Sequence, residues 1–139
     1  GKATFELLYD GATRIKSEAT RTEVKNGDLA VIGHDLIAFA SSDRNLKDNI
    51  TIIPNALDKV NAISGNTFTW KDPSKKEIGP EIGAEDVGVI AQEVEALGLP
   101  GITTTRDDGT LAVRYERLVP ILIEAIKELS VKVTALEGS

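Results

Sequence analysis

The sequence predicts an α+β fold, in which a compact mixed domain with a hairpin arm and a long C-terminal helix is preceded by isolated strands. Within residues 1–41, the strand-like segment Thr13–Val24 combines Thr and charged residues with few apolar ones. From residue 42 onward, short strand-like and helix-like patterns alternate. The last 24 residues carry apolar side chains every three or four positions, which is typical of an amphipathic helix. We therefore divide the chain into residues 1–41 and residues 42–139.

The N-terminal region has several short strand patterns. Phe5–Tyr9 and Leu36–Ala40 are short apolar segments, and Thr13–Val24 is rich in Thr and charge. Asn26–Asp28 is a hairpin-type turn. Such short strands bury little surface on their own. Other copies of the same chain are the natural source of the strands that would pair with them. We expect residues 1–41 to be the foot of a multi-chain β stalk.

The first half of the domain predicts a short helix, a strand and a long polar insertion. Asn55 is placed to cap the helix, and the strand is Thr67–Trp70, with Trp70 expected in the core. Residues 71–86 are polar, with two Pro and two Gly, and predict a long loop or an extended hairpin arm. The helix residues expected on one apolar face are Ala56, Leu57, Val60 and Ile63.

The second half of the domain predicts a buried strand, a helix and a hairpin. The strand Val87–Ile90 leads into the helix Ala91–Leu97, which Gly98 stops. Asp107–Gly109 is a hairpin turn. The strands that flank this turn are Ile102–Arg106 and Thr110–Tyr115.

The last helix is predicted to begin at residues 116–119, because Pro120 fits only a first turn, and to run to Glu137. Its apolar seam has heptad spacing: Val119, Leu122, Ile126, Leu129, Val133 and Leu136. We expect the first half of the helix to be buried in the domain and the second half to project as a coiled coil. β-branched residues at one seam position and Leu at the other favour dimers. The seam is short, so an ordinary amphipathic terminal helix is the alternative.

Composition excludes several classes of function. A formal net charge of −6 offers no basic surface for nucleic acid. No apolar run approaches the ~20 residues that a membrane span needs, and the chain has no Cys for disulfides or thiol chemistry. The acidic residues of 72–86 match no ligand pattern, so we expect no metal and no cofactor. Without an initiator Met, the chain is expected to be a fragment of a longer one.

Ser42 and Lys47, five positions apart, are the candidate chemical groups. A serine hydroxyl needs a base, and a lysine amine can serve once burial makes it neutral. Five residues correspond to ~140° on a helix and to opposite faces of a strand, so a turn at residues 43–45 must bring them together. Asp43 suits the start of that turn, and we give it a structural role. A Ser and a Lys at this spacing are common by chance, so a pair of plain turn residues is the alternative.

Four further blocks of sequence are distinctive: Ser42–Ile50, Leu57–Val60 with Phe68–Trp70, Gly88–Glu95, and Val113–Pro120 with Ala125–Leu129. They resemble the endosialidase-type C-terminal intramolecular chaperone domain of phage tailspikes, tail fibres and neck appendages, which also occurs in a membrane-bound eukaryotic transcription factor. Their order along the chain is that of the family, and the resemblance covers nearly all of residues 42–139.

The resemblance implies a homotrimer that templates the folding of the upstream β stalk of the same polypeptide. It implies that Ser42 is the nucleophile and Lys47 the general base of a Ser-Lys dyad that cuts the Ser41–Ser42 bond. The arm at residues 71–86 would extend toward the stalk. The parent would be a virion tail fibre or spike precursor in the host cytoplasm, with no nucleic-acid or membrane partner. We prefer this trimer to the dimer that the seam favours, because the domain and the stalk can override a short seam.

Two other functions fit the same sequence. One is a clamp that trimerises without cleavage, or a receptor-contacting tip of a fibre. The other is a carbohydrate-binding adhesion domain, which the aromatic content of 4% disfavours because sugar sites need stacking faces. The presence of both Ser42 and Lys47 favours cleavage over the permanent clamp.

Overall fold

The computed structural model describes residues 6–8, 14–16, 35–71 and 83–139. The chain separates into two compact units, Gly1–Ala38 and Phe39–Ser139. The boundary predicted between residues 41 and 42 stays a prediction.

The first unit contains a small antiparallel sheet. Strands β1 (Glu6–Leu8) and β2 (Arg14–Lys16) pair with Leu7 opposite Ile15. Two of the predicted strands therefore pair with each other within one chain, where we expected other copies as partners. The turn predicted at Asn26–Asp28 lies outside the described residues.

The strand predicted at Leu36–Ala40 does not form within the single chain. These residues have no regular secondary structure, and their side chains are exposed; Phe39 is 95% exposed. Apolar composition favours a strand, but a strand forms only where a second backbone supplies hydrogen bonds.

The first α-helix of the second unit is α1 (Ala56–Asn61). Ala56 is buried and the other predicted face residues, Leu57, Val60 and Ile63, are half-buried, which confirms the apolar face. Asn55 precedes the helix as predicted, but its side chain makes no capping hydrogen bond. Two backbone N–H groups of the first turn are instead bound by the carboxylate of Glu128.

Strands β3 (Gly65–Thr69) and β4 (Glu85–Val89) form an antiparallel ribbon. The pairing extends through the Trp70 N–H, which donates to the Ala84 carbonyl at 3.1 Å. The C-terminal end of the predicted arm therefore pairs with β3 and Trp70, which together form the stem of a hairpin. Residues 72–82 of the arm lie outside the described residues.

Two expectations about this ribbon are wrong. Val87 is 72% exposed, although Val87–Ile90 was predicted to be a buried strand. Trp70 is half-buried beside the ribbon, with its ring centroid 5.3 Å from that of Phe68, and does not belong to the core. Alternate residues of β3 are exposed, so one face of this two-stranded ribbon is open in the described part of the chain.

The remaining elements follow the sequence pattern closely. Helix α2 (Ala91–Ala96) is followed by Gly98, whose φ of 67° ends the helix in the left-handed region. The predicted hairpin pairs β5 (Thr103–Thr105) with β6 (Leu111–Val113) in antiparallel order.

Helix α3 (Leu118–Glu137) closes the fold after a 3-10 turn at Tyr115–Arg117, and Pro120 lies in its first turn as predicted. The first half of α3 contributes Ile121 and Ala125 to the core, whereas every residue from Leu129 onward is exposed. The core is formed by Ala56, Val94, Ile102, Ile121 and Ala125. The fold is thus mixed α and β, with small antiparallel sheets and a long C-terminal helix.

Candidate Ser-Lys site

A 3-10 turn at Arg44–Leu46 carries the chain between the two candidate groups. The Asp43 backbone is extended, and its carboxylate accepts a hydrogen bond from the Asn45 N–H at 2.8 Å. The N–H groups of Leu46 and Lys47 close the turn, each donating to a carbonyl three residues earlier at 3.1 Å. The turn required by the Ser–Lys spacing is therefore present.

The turn brings Ser42 and Lys47 into contact. The Lys47 Nζ donates a hydrogen bond to the Ser42 Oγ at 2.6 Å. A neutral amine in the same place could accept the hydroxyl proton, which is the arrangement that activates a serine.

Ser41, Ser42, Asp43 and Lys47 are all exposed in the single chain. The pair is therefore open to water in the single chain. Three apolar side chains beside the turn are also uncovered: Leu46, Ile50 and Ile52 are 74%, 54% and 71% exposed. An additional surface on these side chains would also exclude water from the neighbouring dyad.

A polar hollow of about 400 Å³ opens on the Lys47 side of the turn. Its lining residues are Arg44, Asn45, Lys47, Asp48, Asn49 and Ile50. Asn49 has a φ of 52°, which is unusual for a residue other than glycine. Asn49 lies in the block Ser42–Ile50 that resembles the family, but the sequence analysis gave it no role of its own; the available signal was that Asn is one of the few residues that tolerate the left-handed region.

The described residues, which exclude much of the region before residue 35 and residues 72–82, show no metal-binding group and no membrane span. They contain no cluster of three or more His, Asp or Glu side chains suited to a metal ion. None of their helices is long and apolar enough to cross a membrane.

Residues 42–103 match the family described as chaperone of endosialidase, which is peptidase family S74. The chain carries a domain of this family. The predicted resemblance is thereby confirmed, and the match begins at the Ser42 of the candidate dyad.

Long tail fibre proteins are among the relatives of this chaperone-of-endosialidase chain. The Gp37 long tail fibre protein of Salmonella phage S16 is 35% identical over 107 residues, which cover 74% of this chain and 14% of the relative. The Gp37 proteins of Enterobacteria phages K3 and T2 are each 31% identical over 103 residues, which cover 72% of this chain and 8% and 7% of the relatives. The chain thus spans a small fraction of the length of these relatives, which are virion components.

Proposed function

We propose that this protein is a self-cleaving C-terminal intramolecular chaperone. It forms a homotrimer, templates the folding of an upstream β stalk in a phage tail fibre or tailspike, and then cuts the Ser41–Ser42 bond. The observation that carries the cleavage step is the 2.6 Å contact between Lys47 Nζ and Ser42 Oγ. Membership in the chaperone-of-endosialidase family and the tail fibre relatives support the chaperone role.

The position of the hydroxyl in the chain defines the chemistry. The Ser42 Oγ and the Ser41 carbonyl carbon are linked through Cβ, Cα and N of Ser42, so their bond would close a five-membered ring. Neutral Lys47 accepts the hydroxyl proton as Oγ attacks this carbon. The C–N bond then breaks, the proton passes to the Ser42 nitrogen, and an ester joins the Ser41 carbonyl to the Ser42 Oγ.

Water completes the reaction. Hydrolysis of the ester leaves a carboxylate on Ser41 and restores the Ser42 hydroxyl. The released domain therefore begins at Ser42 with a free amine. No redox partner or cofactor enters this balance.

Assembly would control the timing of cleavage. Ser42 and Lys47 are exposed in one chain, and water around an amine favours its charged form. Packing of partner chains against Leu46, Ile50 and Ile52 would exclude water from the dyad. The cut would thus follow trimer formation and would not compete with it.

The seam of α3 is the proposed trimer contact. Its six residues, Val119 to Leu136 at heptad spacing, are 43 to 75% exposed in the single chain. Trimerisation there holds three stalk segments at high local concentration, which reduces the entropic cost of pairing them. Cleavage then removes the assembly device, so the stalk cannot unfold by the reverse route and becomes kinetically stable.

The test is denaturing mass spectrometry of the purified chain after native trimer formation, with Ser42→Ala, Lys47→Ala and Lys47→Arg. Wild type should yield a fragment that begins at Ser42, and all three variants should stay intact. Lys47→Arg is the sharpest variant, because arginine can still donate to Ser42 but cannot give up its proton. Lys59→Ala, which removes another lysine that bonds an oxygen five residues away, is the matched control and should be cut.

Uncut wild-type trimers would overturn the cleavage step and support the permanent clamp. Cleavage that survives in Lys47→Arg would also overturn the assigned base. The Ser41→Ala variant tests the register, because a cut before Ser42 does not need the Ser41 hydroxyl.

A further inference from the structure

We propose that Phe39 of one copy packs against an apolar patch beside the dyad of a neighbouring copy, and that this contact removes water from the Lys47 amine. The junction patch consists of the three exposed apolar side chains beside the turn: Leu46, Ile50 and Ile52. This inference rests on the proposed function, since it names the partner surface on which the same dyad depends. Phe39 touches no reacting atom in the proposal.

Phe39 and the junction patch are both uncovered in the single chain. Phe39 is 95% exposed, and Leu46 and Ile52 are 74% and 71% exposed. Burial of an aromatic side chain removes about 150–250 Å² from water. Covering these side chains is therefore favourable, and apolar surface concentrated in one place is typical of an interaction site.

The junction patch is anchored to the domain. Ile53 packs against the core, whereas its neighbour Ile52 is exposed. Helix α1 begins three residues after Ile53, at Ala56, which is itself in the core. The patch is thus presented on the outside of a chain that the core holds in place, so a partner meets a surface that is already formed.

The occupant of the patch is a second copy, because one chain does not bring the two surfaces together. Phe39 lies only seven residues before Leu46, and both remain exposed in the single chain. Every copy carries one Phe39 and one junction patch. A contact from each copy to the next closes into a ring in a trimer, and the ring covers all three of each.

Phe39 also lies close to the reaction. Its Cα is three residues from that of Ser42, a span of about 11 Å at most, and Leu46 of the patch is next to Lys47. Burial favours the neutral form of an amine, and one unit of pKa changes the neutral fraction about tenfold. Each dyad therefore becomes competent only when the chain just before the cut site of a neighbour is in place.

The first experiment measures the rate of self-cleavage per trimer at pH 7, with the trimer content checked by light scattering. Phe39→Ala should be slower by about tenfold or more. Phe39→Leu, which keeps a large apolar side chain, should stay within about threefold of wild type. Val131→Ala removes an exposed apolar side chain from α3 outside the heptad seam and should leave the rate unchanged.

Alkaline solution should remove the dependence on Phe39. A lysine amine has a usual pKa of ~10.4, so at pH 10 a large share of it is neutral without burial. Wild type and Phe39→Ala should then differ by less than about threefold. The charged residues of the same turn, Asp43, Arg44 and Asp48, are of types that keep their charge in this range. An equal loss at both pH values would overturn the proposal.

Mixed trimers show whether Phe39 acts on its own chain or on a neighbour. Ser42→Ala chains, which keep Phe39 and cannot be cut, are co-expressed with Phe39→Ala chains, which keep the dyad. The Phe39→Ala chains should be cut several-fold faster in mixed trimers than in trimers of their own kind. An unchanged rate would overturn the contact between copies.

Cross-linking decides the contact even without a cut. If wild type is not cut, the cleavage proposal fails on its own, and introduced cysteines report the contact, since the chain has none. Phe39→Cys and Ile52→Cys chains, assembled into trimers and oxidised, should form a mixed disulfide between two chains, identified by mass spectrometry. Phe39→Cys and Val131→Cys chains should not. Trimers of the first pair without the mixed disulfide would refute the contact.

Discussion

The Glu128 carboxylate of α3 accepts a hydrogen bond from the Leu57 N–H at 2.8 Å, across 71 positions of sequence. Its second oxygen accepts from the Ala56 N–H at 2.9 Å. The first turn of a helix leaves N–H groups without partners inside the helix. At α1 these groups are satisfied by another helix, because the side chain of Asn55 does not cap them. The carboxylate therefore fixes α1 against α3 in addition to their apolar packing.

Glu128→Gln should lower the thermal midpoint by several degrees at pH 7, because an amide has one acceptor oxygen and no charge. The Leu57 N–H, followed by that of Ala56, holds the pKa of Glu128 below its usual value of 4.5. A lowered folded-state pKa gives stability that is present above the unfolded value and is lost as pH falls through the folded value. The difference in thermal midpoint between wild type and Glu128→Gln should therefore become smaller below about pH 4.5. Thermal unfolding monitored by circular dichroism at pH 7 and pH 3 measures it.

The matched control is Glu137→Gln, which removes an exposed carboxylate from the end of the same helix. It should leave the midpoint almost unchanged at both pH values. A Glu128→Gln variant as stable as wild type at pH 7 would show that the carboxylate bonds contribute nothing measurable.

A second close relationship joins Gly88 of β4 to Tyr115. A Cβ on Gly88 would lie 2.5 Å from the Tyr115 hydroxyl oxygen, which accepts a hydrogen bond from the Val89 N–H at 3.1 Å. Gly88→Ala should therefore destabilise the fold by about 1 kcal/mol, because the exposed Tyr115 side chain must move and its hydroxyl then leaves the Val89 N–H. Tyr115→Phe removes the clashing oxygen, so the cost of Gly88→Ala should be smaller in that background.

Chemical denaturation of the four proteins of this double-mutant cycle measures the coupling between the two positions. The single variant Tyr115→Phe should lower the free energy of unfolding by about 1 kcal/mol, because the Val89 N–H loses its acceptor. Additive costs for the two substitutions would show that the hydroxyl oxygen is not what excludes a side chain at position 88.

The sequence predicted those features that depend on neighbouring residues. The turn at residues 43–45 follows from Asp43, the helix start from Pro120 and the β5–β6 hairpin from Asp107–Gly109. Glu128 at α1 and Tyr115 at Gly88 could not be predicted, because these contacts join distant segments and have no local pattern. The exposure of Val87 depends on what covers the ribbon, and strand periodicity cannot reveal that.

Asp43 should influence cleavage through the turn and not through its charge. Asp43→Asn keeps an oxygen that can accept from the Asn45 N–H, whereas Asp43→Ala removes it. Loss of a capping hydrogen bond typically costs about 1 kcal/mol. We expect cleavage several-fold slower in Asp43→Ala and near wild type in Asp43→Asn, measured as the rate of appearance of the fragment. Equal losses in both variants would assign the effect to the carboxylate charge.

The proposed trimer seam can be tested at Ile126, which is 66% exposed in the single chain. Ile126→Glu would place three carboxylates at one seam, and burying unpaired charges is strongly unfavourable. Light scattering should show a fall from trimer to monomer at concentrations where wild type stays assembled. Ser130→Glu adds the same charge to an exposed α3 position outside the heptad seam and should remain trimeric. If Ile126→Glu remained trimeric, the trimer interface would have to lie outside this seam.

The ester between Ser41 and Ser42 is the most specific consequence of the proposed chemistry. A serine that attacks the preceding carbonyl must pass the acyl group to its own oxygen, and esters react with hydroxylamine far faster than amides do. Hydroxylamine added during cleavage should therefore convert the Ser41 end of the N-terminal fragment into a hydroxamate, which mass spectrometry distinguishes from the carboxylate. Ser42→Ala with hydroxylamine should yield neither product, which separates trapping from direct cleavage by the reagent. A wild-type fragment that carries only the carboxylate, at hydroxylamine concentrations that trap a model serine ester, would favour direct attack by water with Lys47 as its base.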